Sequence, residues 1–118
     1  MKTSSDPRHQ KRISLMQELF TQSFQTSTNS QEITPILSHL PEIDKLIIKA
    51  APDWPVDKIA KIDLSILRLA TYELAIAKKE PPKVVIDEAI ELAKEFGNDQ
   101  SANFVNGALG SILSNYDA

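Results

Sequence analysis

The chain has 118 residues, of which 42% are hydrophobic, and these values suit one domain with one core rather than two independent domains. The absence of cysteine excludes disulfides, thiolate metal sites and a cysteine nucleophile, and it suits a reducing compartment. A formal net charge of -3 argues against a protein that coats nucleic acid with its whole surface.

The charge is nevertheless distributed unevenly along the chain. The first twelve residues contain one acidic side chain, Asp6, and four basic ones: Lys2, Arg8, Lys11 and Arg12. Such a basic opening on an acidic body is typical of an arm that binds a polyanion, although basic N-termini also occur without this role. The opening lacks the apolar stretch of a signal peptide, and no segment approaches the roughly 18 apolar residues of a membrane span. We therefore expect a cytoplasmic protein without membrane contact.

Apolar residues recur every three or four positions along nearly the whole chain, which predicts an all-α fold, a single compact domain of about six helices. The first helix begins at Pro7, with Asp6 as its N-cap, and ends within the polar run 26–31, which we interpret as a linker. Its apolar stripe consists of Ile13, Met16, Phe20 and Phe24. Two shorter helices follow at residues 32–40 and 42–51.

The second half of the sequence predicts a one-turn helix and three longer helices. A one-turn helix at 56–60 leads to Asp63, which can cap a helix over 64–79. Pro82 opens the next helix, and Gly97 ends it as a left-handed C-terminal cap.

The last helix can be capped by Asn98 or Asp99 and carries a wide apolar band. Gly107 and Gly110 each cost about 1 kcal/mol in a helix interior, which indicates that another backbone approaches closely there. Asn106 stands among apolar residues, so a buried amide bonded to backbone is favoured over an RNA contact.

Four segments of the second half resemble, in order and spacing, the C-terminal signature of the NusB family. They are ILRLATYEL at 66–74, PPKVVIDEAIELAK at 81–94, FG at 96–97 and FVNG at 104–107. The likeness covers about residues 53–114. Near the start, RHQKR at 8–12 and MQELF at 16–20 are similar to the family's arginine-rich opening and its Leu-Gln-x-Leu-Tyr stretch.

Three features depart from the family pattern. His9 and Gln10 stand where the family has arginines, and Phe20 stands where a tyrosine is customary. The middle of the chain, residues 25–52, is shorter than usual by roughly one helix. The resemblance implies a NusB-like two-subdomain bundle, here with an N-terminal helical part at 1–52 and a C-terminal subdomain at 53–118.

The resemblance also implies a function and partners. Members of the family bind the boxA element of nascent ribosomal RNA as a single strand, together with the small-subunit ribosomal protein NusE. Through that complex they help the RNA polymerase elongation complex to resist termination. They are not enzymes, and the resemblance implies no cofactor. Whether this chain is a monomer or a homodimer stays open.

The residues themselves support an RNA-binding site at the first helix. Cations in the first two turns of a helix oppose its dipole, so helix stability does not explain Arg8, Lys11 and Arg12, whereas phosphate contact does. We expect RNA to contact the following residues: Arg8, His9, Lys11, Arg12, Gln17 and Phe20. For Phe20 a place in the core is favoured over stacking on an unpaired base, and Gln17 can read a base edge or lie on the surface.

A protein partner can use other residues. Asp63 can act as a cap alone or as a cap and an interface, because by position it matches an acidic residue that the family uses toward the ribosomal protein. Arg68 fits either a salt bridge or the same partner surface. His9 and His39 lack neighbours at metal-ligand spacing, and Glu88, Glu91 and Glu95 follow the pattern of a solvated helix face.

Two alternatives to an RNA-binding factor remain. The shortened middle of the chain and the replacement of arginines by His9 and Gln10 in the basic opening favour a diverged helical scaffold that binds a protein without RNA activity. An enzyme is a distant third, because no nucleophile, metal cluster or acid-base pair can be assembled from these residues.

Overall fold

The structure, a computed structural model, describes residues 6–24 and 31–117. Its six α-helices are α1 (Pro7–Gln22), α2 (Thr34–Leu37), α3 (Leu40–Ala50), α4 (Lys61–Thr71), α5 (Pro82–Phe96) and α6 (Ser101–Asp117). A short 3-10 helix, Val56–Lys58, precedes α4, and a π-helical segment, Tyr72–Ala77, follows it. The predicted all-α fold of about six helices is confirmed.

Helix α1 begins as predicted. The backbone N–H of Arg8 donates to Asp6 Oδ1 at 2.8 Å, and Pro7 occupies the first helical turn. That N–H bond, the largest influence on the Asp6 carboxyl, holds its pKa below the usual value. The helix ends at Gln22, before the polar run in which we expected its end, and residues 25–30 of that run lie outside the described part of the chain.

The predicted apolar stripe of α1 is wrong in part. The residues that α1 buries are His9, Arg12, Met16 and Leu19, spaced by three and four residues. Phe24 is 62% exposed, and Phe20 is only half-buried. Two polar residues therefore occupy the inward face, and apolar periodicity could not reveal them.

Helix α4 is the centre of the bundle, and it contacts α1, α3, α5 and α6. It begins at Lys61, with Ala60 at the cap position. The prediction that Asp63 caps it is therefore wrong, because Asp63 lies inside the first turn. Nearly every later residue of α4 is buried, which fits a helix surrounded by other helices.

The end of the α4 region is unusual. The π-helical segment Tyr72–Ala77 finishes at Lys78, which adopts a left-handed backbone with φ of 54°. Among the described residues other than glycine, Lys78 alone has positive φ. This conformation costs a lysine more free energy than it costs a glycine. Packing around the segment must therefore stabilise it.

Glycine plays two different roles near the C-terminus. Gly97 has an extended backbone, φ -93° and ψ -166°, so the left-handed cap is wrong. A Cβ there would lie 2.8 Å from the Ala93 carbonyl oxygen and would collide with the Ser101 side chain. Gly107 and Gly110 are exposed and face open space, so the prediction of close backbone approach at these two is wrong.

Asn98, one of the two residues predicted to cap α6, lies in the turn that precedes the helix at Ser101. Asn98 Oδ1 accepts from the backbone N–H of Gln100 at 2.8 Å, and the Ser101 hydroxyl accepts from the Asn98 N–H at 2.9 Å. Asn106, expected to be buried, is exposed.

Residues from all six helices join one buried apolar cluster. It includes Met16 of α1, Ile36 of α2, Ile47 of α3, Leu67 of α4, Leu92 of α5 and Leu109 of α6. The described part of the chain thus has one core, while the division at residue 52 stays a prediction. Among the described helices, none combines the length and the apolar character that a membrane span requires.

Candidate nucleic-acid interface

The first turns of α1 present two cations to solvent. The Arg8 side chain is 71% exposed, and its Nε lies 3.7 Å from Asp6 Oδ1. The Lys11 side chain is 56% exposed, and its Nζ lies 2.7 Å from Glu32 Oε2. Exposed ion pairs contribute at most about 1 kcal/mol. Phosphate oxygens can therefore displace both carboxylates from Arg8 and Lys11.

The other basic side chains of this region face the protein interior. Arg12 Nε and Nη2 donate to the two carboxylate oxygens of Glu73 at 2.9 and 2.8 Å, and Nη1 lies 3.7 Å from Glu88 Oε1. The prediction that Arg12 faces solvent is wrong. Burial, the largest single influence, lowers the pKa of Arg12, but the hydrogen bonds to Glu73 and the attraction of nearby carboxylates, Glu73 first, together outweigh it and raise that pKa.

His9 lies in the same internal cluster. Its Nδ1 is 3.1 Å from Glu88 Oε1 and its Nε2 is 3.1 Å from Glu95 Oε1. Glu88 is fully buried, so the expected solvated acidic face on α5 is wrong at this position. The cluster holds α1 against α5 and the π-helical segment, and it leaves neither His9 nor Arg12 free to contact a phosphate in this structure.

Helix periodicity explains why Arg8 and Lys11 are exposed while His9 and Arg12 are buried. Residues 8 and 11 lie on one side of α1, while residues 9, 12, 16 and 19 share the side that packs on α4 and α5. The sequence shows how many cations α1 carries. It does not show which of them will pair with carboxylates from distant parts of the chain.

Gln17 and Phe20, the other two predicted RNA contacts, lie further along α1. Gln17 is exposed, and Phe20 packs edge to face with Phe24 at a ring-centroid distance of 5.1 Å. Lys61 Nζ lies 5.3 Å from the centre of the Phe24 ring. The preference for Phe20 in the core is wrong, because Phe20 lies outside the buried cluster. The exposed ring of Phe24 beside a lysine is an aromatic and basic surface that sequence reasoning missed.

A second candidate surface surrounds Asp63. It is a groove of about 550 Å³ whose lining includes Trp54, Lys58, Asp63, Gln100, Asn103 and Phe104. Trp54 is 52% exposed, and its ring centroid lies 6.2 Å from that of Phe104. Asp63 is 7% exposed, and within the described residues its Oδ1 has no hydrogen-bond partner. A buried carboxylate oxygen is costly without a donor, which favours an interface that supplies one.

Arg68 does not belong to that groove. Its Nε and Nη2 donate to the two carboxylate oxygens of Asp44 at 3.0 and 2.9 Å, which joins α4 to α3. Of the two roles considered for Arg68, the salt bridge is the observed one. Among all the described residues, no three His, Asp or Glu side chains are grouped so that they could hold a metal ion.

Comparison with known proteins adds the following matches. The model of the NusB family matches residues 7–114. The transcription antitermination protein NusB of Chloroflexus aggregans is 49% identical over 80 residues, which are 66% of this chain and 53% of that protein. The protein of the same name from Bacillus subtilis is 45% identical over 87 residues, 74% of this chain and 66% of that protein. The matches thus span about half to two thirds of these relatives.

Solved structures show the same fold. NusB of T. maritima superposes with a TM-score of 0.85 at 32% identity, covering 100% of this chain and 96% of that chain. A crystal structure of the antitermination factors NusB and NusE in complex with dsRNA matches with a TM-score of 0.80 at 21% identity, covering 94% and 100%. At that identity the second likeness concerns the fold alone.

Proposed function

This chain belongs to the NusB family, and we propose that it is an RNA-binding factor in transcription antitermination. In this proposal it binds a boxA-like single-stranded element of nascent ribosomal RNA, together with a small-subunit ribosomal protein that corresponds to NusE. The assembly acts on the RNA polymerase elongation complex. The relatives described above are named for transcription antitermination and not for a catalysed reaction, and the role is one of binding without chemistry.

One observation carries the RNA-binding part: Arg8 and Lys11 keep more than half of their side chains in solvent, on a chain whose total charge is -3. Each cation that contacts a phosphate releases a counterion, which favours binding at low salt. The internal cluster in which His9 and Arg12 bind carboxylates of α5 and the π-helical segment supports this role indirectly, because it fixes which side of α1 faces solvent.

The groove around Asp63 suits the protein partner. Its exposed Trp54 ring offers apolar area, and aromatic residues are enriched at protein interfaces. The unpaired Asp63 oxygen can accept a hydrogen bond from a partner side chain or backbone N–H. The substitution Asp63→Asn is therefore expected to weaken partner binding while RNA binding by the isolated chain persists.

Fluorescence anisotropy with a labelled boxA-like single-stranded RNA tests the RNA-binding part. The double variant Arg8→Glu/Lys11→Glu is expected to abolish binding, and the affinity of the unmodified chain is expected to fall as salt rises. The matched control is Lys45→Glu/Lys49→Glu, a double charge reversal at two exposed lysines of α3 that do not line the groove around Asp63.

Specific outcomes decide between the hypotheses. Equal loss of binding in both double variants would mean that total charge, and not the opening of α1, controls association. If no RNA binds even with the ribosomal protein present, while a ribonuclease-resistant complex with that protein forms, the chain is a protein-binding scaffold and the RNA role is wrong.

A further inference from the structure

Arg8 and Lys11, the exposed cations of α1, border a groove to which the RNA contacts proposed above assign no role. It has a volume of about 450 Å³ and lies between the first turns of α1, the segment around α2 and the π-helical segment. Leu15, Ile36, Leu69 and Ala77 supply its apolar lining, and the half-buried ring of Tyr72 lies among them. Its size falls within the range of about 300 to 1,000 Å³ that is usual for small-ligand sites.

The charges around this groove favour an anionic occupant. Its lining contains four basic side chains, Arg8, Lys11, Arg12 and Lys79, and three acidic ones, Glu32, Glu73 and Glu80. Two of the acidic groups are already engaged, Glu32 by Lys11 and Glu73 by Arg12. The pairs Lys11–Glu32 and Arg12–Glu73 cancel, which leaves the exposed cations Arg8 and Lys79 against Glu80, a net charge of +1 on the lining of a protein whose total charge is -3. An anion is therefore attracted to the groove.

The backbone beside the groove is also unusual. Tyr72 and Ala77 are the two ends of the π-helical segment, and the left-handed Lys78 then turns the chain immediately before Lys79. Single-turn π-helical segments occur frequently at functional sites, and non-glycine residues of positive φ are uncommon. The local fold thus sets an aromatic ring and an exposed cation on the lining of one apolar groove.

We propose that this groove holds one unstacked nucleotide of the bound RNA, with the base against the Tyr72 ring and the flanking phosphates at Arg8 and Lys79. A nucleotide combines the required features, namely a flat base that stacks on an aromatic ring and a phosphate that pairs with Lys or Arg. The inference rests on the proposed RNA-binding function and adds two residues, Tyr72 and Lys79, that neither the sequence nor the family resemblance had singled out.

Three variants test the groove in the full chain, each measured by anisotropy with the same labelled RNA. Tyr72→Leu removes the stacking ring, and a loss of about fivefold in affinity is expected. Tyr72→Phe keeps the ring and is expected to bind as the unmodified chain does. Lys79→Glu is expected to weaken binding and to reduce the salt dependence by about one phosphate contact. Because Lys79 is exposed, this variant keeps the fold intact if Tyr72→Leu proves unstable.

Photo-crosslinking of the RNA with 4-thiouridine in place of uridine supplies an independent readout. A crosslinked peptide that contains Tyr72 or a neighbouring groove residue supports the proposal. Unchanged RNA affinity in both Tyr72→Leu and Lys79→Glu, with binding still abolished by Arg8→Glu/Lys11→Glu, would overturn the groove and leave RNA binding in place. If these two variants weaken only the complex with the ribosomal protein, the groove is a protein-docking surface and the nucleotide inference is wrong. Absence of RNA binding by the unmodified chain would overturn both.

Discussion

Arg12 offers a sharp test of whether the basic opening of α1 serves RNA or the fold. Replacing Arg12 by methionine keeps most of its apolar stem and removes the three contacts with Glu73 and Glu88. Breaking a buried ion pair by removing one partner costs about 3 to 5 kcal/mol, because the remaining charge is left without compensation. Glu73 keeps 18% of its side chain exposed, and Glu88 keeps its contact with His9. We therefore expect a loss of about 3 kcal/mol, at the lower end of that range.

Urea denaturation followed by circular dichroism measures this free energy of unfolding. The matched control is Arg8→Met, since Arg8 is 71% exposed and its pair with Asp6 is long; its expected cost is below about 0.5 kcal/mol. The double variant Arg12→Met/Glu73→Met removes both partners and is expected to recover part of the loss, because the unpaired carboxylate of Glu73 is gone.

The opposite pattern would refute the structural role of Arg12. A loss of stability below about 1 kcal/mol in Arg12→Met, accompanied by a large drop in RNA affinity, would show that the guanidinium contacts RNA. In that case Arg12 contacts RNA, as the sequence predicts, and its pairing with Glu73 does not stabilise the fold.

Two further predictions concern local structure. Because the Arg8 N–H holds the pKa of Asp6 down, Asp6 stabilises the fold above its ordinary pKa of about 4, and this contribution is lost as the pH falls through the lowered value. Urea curves should therefore separate Asp6→Asn from the unmodified chain at neutral pH and bring the two together in acid; a constant difference would contradict the cap. Gly97→Ala should cost about 1 to 3 kcal/mol, because its Cβ meets Ser101, whereas Gly107→Ala, which faces open space, should gain about 0.5 to 1 kcal/mol in the same measurement. Equal effects at the two glycines would contradict this account.

The positions of the helices followed closely from local patterns in the sequence. Apolar spacing, Asp6 with Pro7 at the start of α1, and Pro82 at the start of α5 act through residues within one or two turns of each other. The same kind of reasoning failed at Asp63 and Gly97. The helix after residue 60 begins earlier than its best capping residue, and Gly97 is needed for space beside Ser101 rather than for a left-handed backbone.

The family resemblance, carried by the segments from residue 66 to 107, predicted RNA and a ribosomal protein as partners. It did not reveal the two grooves. Trp54 and Phe104 are 50 residues apart in the chain, and Tyr72, Leu15 and Ile36 line one groove only after three separate segments pack together.

The sequence alone therefore decided the class of fold, the order of the helices and the presence of a basic opening, because each depends on contacts between near neighbours in the chain. Packing alone decided which cations face solvent. Arg12 meets Glu73 across 61 residues, and His9 meets Glu88 and Glu95 across 79 and 86. The carboxylates of Glu73 in the π-helical segment and of Glu88 and Glu95 in α5 hold these two side chains inward, since an unpaired charge in the core would cost several kcal/mol. Among the described cations of α1, Arg8 and Lys11 are the ones left in solvent.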